Sequence, residues 1–390
     1  MVGKRDRSAR ASRRGEDLAV VGAGVIGLSV AYHAAAQGLK TVVYERTGIG
    51  AEASGVQPGG VRQQWSTDVN CLLARESYGF YREINDRLES RVRPILETCG
   101  YLFLAHSSEA LAQLARNVEL QNGHGIPSRL ISAAEVGELV PGIDARVLMG
   151  ASYCAEDGYF DHPQAVVEAF AQSAVRLGAC IEHSEVVALR PNGNGWELEL
   201  GQGHRVHCNQ VVVAAGYDTN SILESVGVEL PVSKVPKYLF LSDPISERLL
   251  EPLVISQELH FAAKHLADGR VLASDLAASG DPSVEREHWR AHVRAVVEQL
   301  LPILEYVSFP LLVEGFYDMT PDSQAIVGEV DGFKGLWVAA GFSGHGFMIA
   351  PAIGRAMAAL LQGENPGVSV LDLSLARFAE EKLEFETQVV

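Results

Sequence analysis

A short apolar run, Leu18-Ala19-Val20-Val21, breaks directly into Gly22-Ala23-Gly24-Val25-Ile26-Gly27. An Ala-rich stretch, Leu28 to Gln37, follows in helical register and stops at Gly38, where a C-cap belongs. A second apolar run, Thr41 to Tyr44, ends in Glu45. Strand, glycine turn, helix, strand and terminal acid within about thirty residues predict a βαβ unit built to hold a dinucleotide.

Each part of that unit has a physical task. Gly22 permits the tight turn, Gly24 lets the backbone approach a pyrophosphate, and Gly27 lets the helix pack closely on the strand. Ala23, Val25 and Ile26 complete the turn, and the helix N-terminus offers N–H donors and the positive end of its dipole. Glu45, eighteen residues after Gly27, is placed to accept hydrogen bonds from ribose hydroxyls. A carboxylate there disfavours a 2′-phosphate, even with Arg46 beside it, so NADP is disfavoured. The turn alone does not separate NAD from FAD.

With 390 residues and 47% hydrophobic content, the chain can bury the core of one large or two closely packed domains. Lys and Arg number 32 against 49 Asp and Glu, a net charge of −17, which argues against nucleic acid or an anionic membrane as partner. Lys4, Arg5, Arg7, Arg10, Arg13 and Arg14 crowd the first residues, with no apolar run after them of the kind a signal peptide needs. Residues 1–16 therefore read as a disordered arm. Gly22, Gly24 and Gly27 interrupt the most apolar stretch, so no membrane span is expected. Five scattered cysteines (Cys71, Cys99, Cys154, Cys180, Cys208) form no CxxC pair, so neither a disulfide framework nor a metal site is expected. The chain reads as cytoplasmic.

Farther along, the pattern predicts a long helix over 68–88, a strand over 101–105 and a capping box at Ser132–Glu135. It also predicts a helix from Pro163 to about Leu177, and a hairpin from residues 181–189 and 196–200. Gln210 to Gly216 reads as a buried parallel strand. Between Pro231 and Val313 the pattern changes to alternating strands (237–241, 259–263, 270–274) with one amphipathic helix over 284–301. The fold class expected is α/β plus α+β: a discontinuous Rossmann-type domain and an antiparallel-sheet domain. The first is expected over 17–90, 150–228 and 315–390, and the second over 91–149 and 229–314. Near the end, a buried strand (335–340) enters Gly341-Phe342-Ser343-Gly344-His345-Gly346-Phe347 and then a helix over 350–361. Two glycine loops at opposite ends of one chain suit a long ligand lying through the protein, which fits FAD better than a nicotinamide cofactor.

Four segments together, GAGVIGLSVAYHAAAQG, AAGYDTN, GFYDMTPDSQAIVG and GFSGHGF, resemble the D-amino-acid oxidase superfamily of FAD enzymes. The resemblance is to the branch of glycine oxidase and the sarcosine oxidases, and it covers nearly all of the chain after the basic leader. It implies a split FAD domain, a sheet roofing the flavin, and hydride removal from the carbon beside an amine nitrogen. By this resemblance Ser54, Gly59, Gly60 and Val61 run along the flavin, Val186 lies by the adenosine, and Ala215-Gly216 by the pyrophosphate. Gly315, Phe316, Gly344, His345, Gly346, Phe347 and Met348 would lie by the isoalloxazine ring. Arg62 would clamp the substrate carboxylate, since a guanidinium is an always-charged bidentate donor. Tyr317 would occupy a substrate-pocket position, His260 would match an aromatic position on the sheet roofing the flavin, and His345 would tune the flavin electrostatically.

The departures from that branch also carry expectations. Gly315 stands where sarcosine oxidases carry a tethering cysteine, so FAD is expected to bind noncovalently. Met348 replaces a carboxylate-binding lysine, Tyr317 stands near a glycine oxidase arginine, and Leu272 is assigned the place of a lysine that helps O2 react. Met348 and Leu272 make the site more apolar, which suits an N-substituent bulkier than methyl.

The chain therefore reads as an FAD-dependent oxidoreductase that oxidises the C–N bond of a glycine-like or N-alkyl amino acid. Imine hydrolysis would give a carbonyl compound and free amine, with O2 as acceptor and H2O2 as product. The alternative is a D-amino-acid or cyclic-imino-acid dehydrogenase that passes electrons to a carrier or quinone.

Overall fold

The computed structural model describes residues 16–367 and 370–390. The expected arm lies outside the described residues except for Glu16, which opens the first strand.

The first sheet holds the dinucleotide unit. Glu16–Val21 pairs in parallel with Thr41–Glu45 on one side and Arg205–Val213 on the other. Leu336–Ala340 extends the sheet in parallel from Val211 to Val213. These central strands are almost wholly buried, with Leu18, Val20, Val43, Val211, Val212 and Leu336 inaccessible to solvent, as strands covered on both faces require. The segment expected as one strand over 181–189 is two. Cys180–His183 pairs in parallel with Thr41–Glu45, whereas Val186–Asn192 forms the hairpin with Gly195–Leu200. The two runs are separated only by Ser184 and Glu185, with no Gly or Pro between them, so local pattern does not show the change of partner.

Helix Val25–Ala36 packs against helix Gly346–Leu361 at a glycine. A Cβ on Gly354 would stand 2.2 Å from Ser29 Oγ, and that hydroxyl donates to Ala350 O at 2.8 Å. The later helix begins at Gly346, four residues before the sequence pattern suggests, so Pro351 lies inside it and not at its start. Proline has no N–H to offer the carbonyl four residues back. Tyr81 supplies the missing donor, its hydroxyl reaching Phe347 O at 2.5 Å, so the first turn of the helix stays fixed. The long helix expected over 68–88 is divided at Glu83 into Asp68–Arg82 and Ile84–Leu88.

The second sheet has eight strands, in the order Leu311–Met319, Ser233–Leu241, Val271–Asp275, Phe261–His265, Leu253–Ser256, Tyr101–Ala105, Gly150–Cys154, Arg129–Ile131. All its pairs are antiparallel except Leu253–Ser256 with Tyr101–Ala105. Gly150–Cys154, expected in the dinucleotide domain, belongs here, and Leu311–Met319 crosses the boundary expected at 315. The alternation along these strands sorts two faces. Tyr238, Phe240, Val254, Phe261, Val271 and Ala273 join Trp289, Val293 and Val297 of helix Pro282–Leu300 in one core. The intervening residues face the other way, toward the first sheet and the space between.

Candidate active site

Two cavities meet between the sheets. The longer is lined by Glu45 and Arg46 at the end of the second strand and by Gly22, Gly24, Val25 and Ile26 of the glycine turn. Ser54, Val186, Ala215 and Gly216 also border it, as do Gly315, Phe316 and Gly346. The inner cavity lies under the second sheet and is lined by Gly60, Arg62, His345 and Met348. Tyr317, Gly344, Phe347 and Lys237 border both, so the two spaces are continuous.

Ala23 and Gly27 shape the cavity without lining it. A Cβ on Gly27 would fall 2.1 Å from Gly22 O, and one on Gly22 would fall 2.5 Å from Ala214 O. The expected close approaches of turn, helix and neighbouring strand are thus present. Ala23 is buried and donates its N–H to Glu45 Oε2 at 2.8 Å. The other oxygen of Glu45 accepts from Thr47 N at 2.8 Å and Gly48 N at 3.2 Å. Burial opposes ionisation of Glu45, but these donors outweigh it and hold its pKa below the usual value. The result is an oriented carboxylate at the cavity wall. Arg46 lines the same wall but is spent on Asp218 Oδ2 at 2.6 Å and Glu52 at 3.4 Å, so it does not favour a phosphate. Ser54 Oγ accepts from Val25 N at 3.0 Å, joining the next segment to the helix N-terminus.

Other expected site residues stand one layer back. Val61 is buried and Gly59 turns at φ +77°, where a Cβ would meet Phe160 O at 2.0 Å. His260 is not brought to the site. It is exposed, at φ +47° in the turn between Leu253–Ser256 and Phe261–His265, and the residues that reach the cavity from there are Ala262, Ala263 and Lys264. The strand begins one residue after His260, so this side chain stays on the rim.

Arg62 is buried at 3% exposure beneath the inner cavity. It stacks 3.7 Å above the Trp65 ring, and its two terminal nitrogens donate to Gln64 O at 2.8 Å and Gln388 O at 2.7 Å. His345 packs against the same indole with ring centroids 4.8 Å apart. Burial, with Arg62 adding to it against the opposing charge of Glu386, takes the His345 pKa down to about 4, so its imidazole is neutral at pH 7. Tyr317 directs its hydroxyl to Val390 O at 3.2 Å.

Several site residues gave no signal in the sequence pattern. Val389 and Val390 wall the inner cavity, anchored by Glu386, whose buried carboxylate accepts from Ser66 N (3.0 Å), Thr67 Oγ1 (3.1 Å) and Asn70 Nδ2 (3.1 Å). Asp318 borders the longer cavity and accepts from Gly341 N at 2.7 Å; burial raises its pKa to about 6. The assignment of Leu272 to the lysine position needs a correction in register. Leu272 does line the inner cavity, but its partner across the ladder is Lys264, which lines the same space. The Lys264 ammonium donates to Pro58 O and lies 3.9 Å from the Tyr159 ring centroid, and burial lowers its pKa to about 7. Lys237, opposite Gly315 on the neighbouring strand, is a further cation at the junction of the cavities. An inward-facing lysine among alternating apolar residues was the available clue for both.

These residues fit FAD. The glycine turn and Glu45 suit the adenosine diphosphate half, and the second glycine loop borders the opposite part of the same cavity. Gln57 Nε2 and both ring nitrogens of His345 are buried without a hydrogen-bond partner at the cavity walls, where a polar ring edge would satisfy them. Among the described residues there is no cluster able to hold a metal, and no helix long and apolar enough to cross a membrane.

Comparison with known proteins agrees with that geometry. Residues 17–360 match the FAD dependent oxidoreductase family. The chain is 30% identical to FAD-dependent oxidoreductase domain-containing protein 1 of Bos taurus, across 93% of this chain and 84% of the bovine protein. It is 26% identical to glycine oxidase of Geobacillus kaustophilus, across 93% and 97% of the two chains. Among solved structures, L-proline dehydrogenase from P. horikoshii superposes with a TM-score of 0.88 at 26% identity, across 95% of this chain and 99% of that one. The expected fold is present. The chain belongs to the family of FAD-dependent oxidoreductases that includes glycine oxidase, and it is an amino-acid or amine oxidoreductase.

Proposed function

We propose that the chain oxidises the C–N bond of a glycine-like or N-substituted amino acid bound in the inner cavity, with noncovalent FAD in the longer one. The observation that carries this reading is the composition of the inner cavity. Arg62, Lys237 and Lys264 line it, no Asp or Glu side chain does, and its remaining wall is largely apolar. Such a space receives an anion attached to an apolar or weakly polar body.

Flavin, when bound in the longer cavity, would supply the hydride acceptor. Arg62, stacked on Trp65 and braced by two carbonyls, is rigid and presents its charge to the substrate carboxylate. Surrounding cations favour substrate with a neutral amine, the form that can lose hydride from the adjacent carbon. Tyr317 fixes the side of the pocket next to the second glycine loop. The apolar wall from Leu239, Leu253, Ile255, Met348 and Val389 excludes bulk water until the imine forms. Water then adds to the imine, releasing carbonyl compound and amine.

Lys264 supports O2 as acceptor. A buried cation at the cavity wall stabilises the negative charge that develops as O2 takes up electrons, and two electrons with two protons give H2O2. A cyclic-imino-acid dehydrogenase is the second reading, favoured by the likeness to the solved L-proline dehydrogenase. Five free cysteines suit a cytoplasmic setting. Anaerobic absorbance spectra of the flavoprotein with a panel of amino acids, N-alkyl glycines and proline test the reading. Bleaching of the flavin bands by one class identifies the substrate, and fast return of colour in air selects oxidase over dehydrogenase. A spectrum unchanged by every amine overturns it.

A further inference from the structure

The three cations of the inner cavity are not equally satisfied. Arg62 has two carbonyl acceptors and the Trp65 face. Lys264 has the Pro58 carbonyl and the Tyr159 ring. Lys237 makes no hydrogen bond or ion pair among the described residues, and its ammonium lies 5.4 Å from the Tyr317 ring centroid. A partly buried ammonium with no acceptor is costly to keep unless a ligand or water completes it. Its backbone is fixed, because Ser233–Leu241 is paired along its length with Leu311–Met319 and Lys237 is held opposite Gly315. The side chain borders both cavities, so it stands at the passage between them. Glu314, the nearest acid along the facing strand, stands opposite Tyr238 and borders neither cavity, and Asp318, farther along, is occupied by the Gly341 N–H. Glu386 is occupied behind Arg62 by Ser66, Thr67 and Asn70.

One substrate carboxylate accounts for Arg62 and leaves Lys237 without a counter-ion. We propose that Lys237 receives a second acidic group of the substrate, remote from the carbon that loses hydride. The preferred substrate is then an amino acid bearing a second carboxylate, on its side chain or on its nitrogen substituent. This rests on the reading of the inner cavity as the amino-acid site.

The experiment uses the FAD-loaded full chain and matched ligands that differ only in the second acid. Anaerobic flavin reduction is followed with aspartate and glutamate of both hands, iminodiacetate and N-(2-carboxyethyl)glycine. Asparagine, glutamine, sarcosine and N-propylglycine serve as the singly charged counterparts. The wild type should prefer the dicarboxylic members by about 10- to 100-fold in kcat/KM, the scale of one charge-assisted hydrogen bond. Lys237→Met should abolish that preference, read as the ratio of kcat/KM between each dicarboxylic substrate and its singly charged counterpart, and Lys237→Arg should retain it. Which dicarboxylic arm responds separates a side-chain acid from an N-substituent acid. Equal rates for both sets in the wild type, or an equal loss for both in Lys237→Met, would overturn the proposal.

A binding measurement needs no turnover. Succinate and glutarate should perturb the flavin spectrum at about tenfold lower concentration than butyrate and valerate in the wild type, and at equal concentration in Lys237→Met. If no amine reduces the flavin while this difference holds, the oxidation reading fails and the second anion site stands. If amines reduce it with no dicarboxylate preference, the site fails and the oxidation reading stands.

Discussion

The guanidinium of Arg62 donates to the carbonyl of Gln388 at 2.7 Å, joining residues 326 positions apart at the floor of the inner cavity. The segment around Gln388 is therefore part of the site wall. Glu386 fixes it from behind, accepting from Ser66, Thr67, Asn70 and the N–H of Gln388 itself at 2.8 Å.

Removing that anchor tests the arrangement. Glu386→Ala removes the acceptor of five donors, the N–H and hydroxyl of Ser66, the Thr67 hydroxyl, the Asn70 amide and the Gln388 N–H, and should cost about 1–3 kcal/mol of stability. Urea midpoints measure the loss. The same variant should raise KM for the amine, because Arg62 loses its brace and Val389 and Val390 leave the wall. An unchanged KM would mean that the segment covers the site without shaping it.

Gly344 cannot carry a side chain. It sits at φ +87°, and a Cβ would lie 2.1 Å from Tyr317 Cε2. Gly344→Ala should displace the Tyr317 ring and slow anaerobic flavin reduction about tenfold or more, with FAD still bound. Rapid-mixing absorbance reads the rate, and the flavin to protein absorbance ratio reads occupancy.

Burial of Lys264 predicts a pH-dependent stability. Its pKa falls from 10.5 unfolded to about 7 folded, so the burial cost is full below pH 7, where both states are charged. Between pH 7 and 10.5 only the unfolded chain holds the proton, so stability rises with pH, and above that range the cost is gone. Lys264→Met should therefore raise Tm more at pH 6 than at pH 9. Under the oxidase reading it should also slow the return of colour in air. Equal gains in Tm at the two pH values would show that the ammonium is solvated in the folded protein.

Gly315 offers no thiol on the strand that borders the flavin cavity. Acid precipitation of the yellow protein should leave all of its flavin in the supernatant. Flavin retained in the pellet would place a covalent link elsewhere in the chain.

Much of this architecture was legible in local pattern. The fingerprint Gly22–Gly27, the acid at Glu45 and the glycine-rich loop before the last long helix are each set by neighbours within a few residues. Their backbone requirements show directly in residue type: small residues where chains touch, and alternating apolar runs where strands are buried. The capping box at Ser132 and Glu135 is of the same kind, and both reciprocal hydrogen bonds are present.

Strand partners and side-chain convergence were decided by tertiary structure. Cys180–His183 and Val186–Asn192 look like one strand until their different partners are seen. His260 lies one residue outside its strand and misses the cavity, while Lys264 faces it across from Leu272. A one-residue change of position exchanges the faces of a sheet, so an assignment by approximate register cannot tell an inward lysine from its neighbour. Arg62, Lys237, Lys264 and Val390 come from separate parts of the chain, and long-range pairing alone puts three cations and no Asp or Glu side chain around one space. The sequence by itself determined that a dinucleotide cofactor is bound. Only the tertiary structure decided what faces it, because the chemistry of a cavity belongs to residues whose proximity no local spacing encodes.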